Sequence, residues 1–166
     1  MRLSALPIAS AKTFAVAALI ALSPVTGTSA QAGGHSKSPL LTKPSAHDAA
    51  TTLDRLEAVL TKKGIRVFAR IDHTANAKGA GLTLAPTQVL MFGNPKLGTP
   101  LMQSTREIAI DLPMKALAWT DAEGKTFLSY TDPAALKARY GITDRDAVIA
   151  KMTKALDGLT TAATKP

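Results

Sequence analysis

Apolar and polar positions along the chain follow two periods, and the switches between them mark the elements. From Ser45 to Lys63, Ala49, Leu53, Leu56 and Leu60 recur on one face with Val59 beside them, which predicts an amphipathic helix. Ser45 with Asp48 three residues on suggests an acidic capping box, and Gly64 is placed to close the helix. Ile65 to Asp72 then alternates. Ile65, Val67, Ala69 and Ile71 take one side and Arg66, Phe68, Arg70 and Asp72 the other, which predicts a strand with one buried face. A short helical turn from His73 to Lys78 follows, with Asp72 as its N-cap.

Val89, Leu90, Met91 and Phe92 leave no polar face, so Thr87 to Phe92 reads as a strand buried on both sides, and Gly93-Asn94-Pro95 stops it. Asn94-Pro95 and Thr99-Pro100 each pair a capping residue with proline, predicting two short turns broken at Gly98. Arg106 to Asp111 alternates as a further strand, with Ile108 and Ile110 on one face. Met114 to Thr120 and Lys125 to Tyr130 flank Asp121-Ala122-Glu123-Gly124 and predict a hairpin. Asp132-Pro133 caps a short helix to Arg139. Thr143 with Asp146 opens a last helix striped by Val148, Met152, Ala155, Leu156 and Leu159. Strands cluster mid-chain and the long helices sit at the ends. That order favours an α+β fold, a mostly antiparallel sheet with helices packed on one face.

The first 32 residues fit no such pattern. Arg2 and Lys12 are their only charges, Thr13 to Leu22 is an apolar run, and Ala30-Gln31-Ala32 offers small residues for cleavage. This is the order of a secretory signal peptide, and the run is shorter than the ~20 residues a membrane span needs. The expected division is a signal peptide over 1–32, a flexible Gly/Ser/Lys/Pro linker over 33–44, one α+β domain over 45–160 and a frayed tail over 161–166. The expected location is periplasmic or secreted, with no stable membrane anchor after cleavage.

Composition narrows the chemistry. With no cysteine in 166 residues, disulfides, thiolate metal sites and cysteine nucleophiles are excluded. Three scattered histidines form no metal-ligand cluster, and no cofactor loop is present, so neither metal nor cofactor is expected. The formal charge of +8 is spread rather than gathered on a nucleic-acid module, so no nucleic acid is expected as partner.

Two places could carry chemistry. Asp72-His73 joins a carboxylate to an imidazole, a pair able to act as acid or base, although Asp72 also serves as a plain helix cap. Gly93-Asn94 ends a strand where a ligand could approach the backbone and meet an amide, although a cap-and-proline turn explains the same residues. Trp119 and Tyr130 are expected to face each other across the hairpin, packing the sheet or lining a pocket.

Several of these strings resemble a bacterial family named for its unknown function, the domain-of-unknown-function family 302. They are Lys63-Gly64, Ile71-Asp72-His73, the stretch PTQVLMFGNPKLGTPLMQ from Pro86 to Gln103, Asp111-Leu112-Pro113, and Trp119 with the Asp-x-x-Gly turn and Tyr130. The resemblance runs from about Leu53 to about Leu159. It implies a compact α+β domain, homodimeric and without an established activity, exported where a leader is present. The leading expectation is therefore a non-catalytic exported module binding a small ligand or a protein partner, through His73, Asn94, Trp119 or Tyr130. The rival is a small enzyme with His73, beside Asp72, as general acid or base and Asn94 positioning the substrate. A homodimer is also expected from the strands themselves. Phe68 shares a side with Arg66 and Arg70, the Val89-to-Phe92 run is apolar on both sides, and Leu117 and Trp119 lie opposite Met114, Ala116 and Ala118. The second sheet face therefore carries too much apolar area for open solvent, with the short helices near Pro95 to Gln103 as the competing cover.

Overall fold

The computed structural model describes residues 39–166. The expected signal peptide and the first residues of the expected linker lie outside them. Eleven elements follow in order: β1 (Leu40–Pro44), α1 (Ala49–Lys62), β2 (Arg66–Asp72), α2 (His73–Gly79), β3 (Thr87–Gly93), α3 (Pro95–Ser104), a 3₁₀ helix (Arg106–Ile110), β4 (Met114–Thr120), β5 (Thr126–Thr131), α4 (Pro133–Arg139) and α5 (Asp146–Thr164). The strands form one antiparallel sheet in the order β1-β5-β4-β3-β2. The fold is α+β, as the pattern predicts.

The register separates two faces. Leu90, Phe92, Met114, Ala116, Ala118, Leu128 and Tyr130 point to the helix side and are buried beneath α1 and α5, whose Leu53, Leu56, Leu60, Met152, Leu156 and Leu159 complete the core. Val89, Met91, Leu117, Trp119 and Phe127 point the other way, away from α1 and α5, and are half-exposed among the described residues. The continuous apolar run of β3 is thus fully buried on one side only among the described residues.

Six expectations need correction. The segment Leu40–Pro44, expected within the linker, is an edge strand on β5. Its Thr42 hydroxyl bonds Ser129 Oγ at 2.8 Å and Lys43 pairs with Asp157 at 2.7 Å. The tail does not fray before Thr164, because Thr160, Ala163 and Thr164 are buried and the Ala46 amide donates to Thr164 O at 2.9 Å. Asp48, not Ser45, caps α1, accepting from the Thr51 amide at 2.7 Å. Residues 106–110 wind as a 3₁₀ helix, whose three-residue turn buries Ile108 and turns Ile110 outward at 78% exposure.

α3 is one helix that runs through Pro100. Burying Leu101 offsets the lost bond, and Arg145 Nε donates to Pro100 O at 3.1 Å. Finally, β2 carries a bulge between Val67 and Ala69, so its alternation flips there. Val67 packs toward the core while Ala69 and Ile71 sit opposite Met91 and Val89 on the open face. The hairpin forms as expected. Asp121 Oδ1 accepts from the Glu123 and Lys125 amides, and Gly124 takes a φ of +78° that the turn requires. Among the described residues no helix is long and apolar enough to cross a membrane.

Candidate functional site

The end of β3 opens into a pocket. Where Phe92, Gly93 and Asn94 leave the sheet, α3 turns back beside α5, and the segment Leu112-Pro113 leads into β4. These pieces leave a partly open cavity of about 340 Å³. Its walls are Phe92 and Phe68 from the sheet, Leu97 and Met102 from α3, Leu112 to Met114, and Met152, Ala155, Leu156 and Leu159 from α5. No charged side chain lines it; Asn94 and Thr99 supply the polar side chains. Small-molecule sites combine an apolar lining with a few placed polar groups, and this volume falls in their range. Three methionines, Met102, Met114 and Met152, add flexible thioether surface that adapts to a guest.

Local sequence accounts for each wall. Asn94 caps α3, its Oδ1 accepting from the Lys96 amide at 2.9 Å, which leaves Nδ2 to donate. Gly93 lets the turn approach Pro113, since a Cβ there would lie 3.3 Å from Pro113 Cβ and 3.6 Å from Phe68 Cε2. The bulge delivers Phe68 to the rim, 48% exposed, with the Arg66 guanidinium 5.0 Å from its ring centroid. Polar contacts outside the cavity hold the walls. Tyr140 Oη donates to Asp111 Oδ2 at 2.6 Å, and Arg139 approaches the same oxygen at 3.3 Å. That bond to a carboxylate, with some burial, raises the Tyr140 phenol above its ordinary value. Ser104 Oγ donates to Asp144 at 2.6 Å and lowers that carboxyl, tying the end of α3 to the loop before α5.

The other expected residues do not gather here. Asp72 caps α2 as predicted, accepting from the Ala75 amide and from Gln88 Nε2, both at 2.9 Å. Both its oxygens are engaged, and neither with His73. His73 is exposed at the first position of α2. Asp72 pairs with Gln88, six residues before Asn94, so roughly 20 Å of strand separates the His73 end from Asn94. Trp119 and Tyr130 do not face each other. Trp119 pairs with Phe127, ring centroids 5.0 Å apart, and donates to Ser129 Oγ at 3.0 Å on the open face. Tyr130 sits opposite Ala116 on the helix face, buried in the core. Of the four ligand candidates, Asn94 alone borders the pocket. Sequence reasoning missed Phe68 because the alternation of β2 hides its bulge. It missed the α5 wall because Met152, Ala155 and Leu156 read simply as a core stripe. Among the described residues no group of acidic or histidine side chains is placed to hold a metal ion.

A family model, "Domain of unknown function DUF302", matches residues 41–159. The chain belongs to the DUF302 family. The DUF302 fold here is similar to the crystal structure of an uncharacterized conserved DUF302 protein from Bacillus stearothermophilus. The TM-score is 0.67 at 20% identity, covering 75% of this chain and 97% of the other. Among curated proteins, the chain is similar to the fluoride-specific ion channel FluC 1 of Brucella suis biovar 1. They are 49% identical over 105 residues, 63% of this chain and 41% of the relative. FluC 2 of Brucella melitensis biotype 1 matches equally well over 39% of its length. The chain spans about two fifths of the length of these curated relatives.

Proposed function

We propose that this DUF302 domain is a non-catalytic binding module for a small apolar ligand, held in the pocket at the end of β3. The observation that carries the reading is the cavity itself: about 340 Å³ with no charged side chain in its lining. A cavity of ~150 Å³ lined by aliphatic and aromatic side chains takes benzene, so this one has room for roughly ten carbon atoms. The enzyme alternative gains nothing from the geometry, because His73 stands apart from both Asn94 and the pocket. The reading does not extend to fluoride conduction, since the chain spans only part of the relatives so named.

Calorimetric titration with decanol tests it. The expected result is saturable binding to the protein that Ala155→Trp abolishes, because a half-exposed alanine on the cavity wall gives an indole room to fill it. Equal binding by the variant would place decanol elsewhere and sink the reading.

We also infer that two copies pair through the open sheet face. Five strands about 4.8 Å apart and about six residues long present roughly 500 Å² per copy, or roughly 1,000 Å² for the pair. That reaches the lower limit for a specific interface.

A further inference from the structure

The pocket has an apolar interior, and Arg66, outside its lining, neighbours two residues that line it. Arg66 pairs with Gly93, which lines the cavity, and its guanidinium lies against Phe68, which also lines it. The other arginines near the sheet and α5 are engaged. Arg70 binds Asp54, Arg139 binds Asp111, and Arg145 binds Asp144. Arg66 has no acidic partner among the described residues. The carboxylates next to the lining residues in sequence are already held, Asp111 by Tyr140 and Arg139 and Asp157 by Lys43. A guanidinium is weakly hydrated, stacks on aromatic rings and presents a planar fork of donors that matches a carboxylate. Phe68 therefore does two things. It lines part of the opening, and its ring holds the Arg66 guanidinium beside it.

Building on the apolar-pocket reading, we propose that the ligand is an anionic amphiphile. A hydrocarbon body of about ten carbons fills the cavity, and a single carboxylate head meets Arg66 at the rim, with Asn94 Nδ2 as a second donor. The uncharged lining excludes a second charge deeper in the ligand, because an unpaired charge buried there carries a large desolvation cost. A cationic head is excluded by Arg66.

The test compares decanoate, decanol and decylamine, each below its aggregation concentration, by calorimetry on the full-length protein. Decanoate is expected to bind most tightly and decylamine most weakly. Arg66→Gln should weaken decanoate about fivefold, as an exposed charge pair would, and leave decanol unchanged. Arg66→Lys keeps the charge and should retain most of the preference. Arg66 is an exposed edge residue, and thermal melts of both variants check that the fold is intact. If decanoate binds no better than decanol, or Arg66→Gln changes both alike, the anionic head is overturned while the apolar pocket stands. If none of the three binds, both readings fall.

Discussion

At the residue scale, burial decides which side chains hold the domain and which are free to serve it. Leu90 is completely buried on the helix face of β3, opposite Ala116. Leu90→Ala should destabilise the protein by about 2–5 kcal/mol, the range for a truncated core leucine, read from urea unfolding. A change below ~1 kcal/mol would mean that the site collapses around the smaller side chain. Asn94 was legible in the sequence because a capping residue before proline has few other uses. Phe68 was not, because its position follows from a bulge, and a bulge shifts the period of a strand without changing its composition. Tyr130 and Trp119 were recognised as hairpin residues, but Trp119 pairs with Phe127, three residues short of Tyr130, and that odd offset puts them on opposite faces.

At the element scale, caps and turns were the most readable features, since Asp72, Asn94 and Asp132 each accept from a helix amide as expected. The less readable elements depend on distant partners. β1 is a strand only because β5 offers an edge, and the end of α5 is ordered by Arg55 donating to the carbonyls of Ala163 and Lys165. The cap of α1 gives a pH prediction. The Thr51 amide and hydroxyl hold the Asp48 carboxyl below its ordinary value. Because the folded value is the lower one, the cap's contribution is full above the unfolded value near pH 4 and is lost as pH falls through the folded value. Asp48→Asn should therefore flatten the acid limb of stability below about pH 4 and leave its neutral plateau nearly unchanged, since asparagine also caps. An acid limb identical to that of the parent would remove Asp48 from the account.

At the scale of the whole molecule, a single sheet has one face beneath α1 and α5 and, among the described residues, the other left half-exposed. Apolar residues on both sides of β3 and β4 announced this in the sequence, and the register bears it out with Val89, Met91, Leu117, Trp119 and Phe127 together. α3 does not cover that face; it packs against α5 and the 3₁₀ helix. If the face joins two copies, light scattering at micromolar concentration gives twice the chain mass, and Leu117→Lys reduces it to one. A parent protein already monomeric would contradict the pairing. The pocket was the least legible feature, because it is made where four separated segments meet and each of them reads locally as turn or core.

Entry of an apolar guest at the end of β3 can be followed on the methionine methyl groups. Three of the five methionines, Met102, Met114 and Met152, line the cavity, while Met91 lies on the open sheet face. With ¹³C-methyl methionine and a decanol titration followed by NMR, the Met102, Met114 and Met152 signals should shift saturably with Met91 unmoved. Shifts confined to Met91 would contradict it.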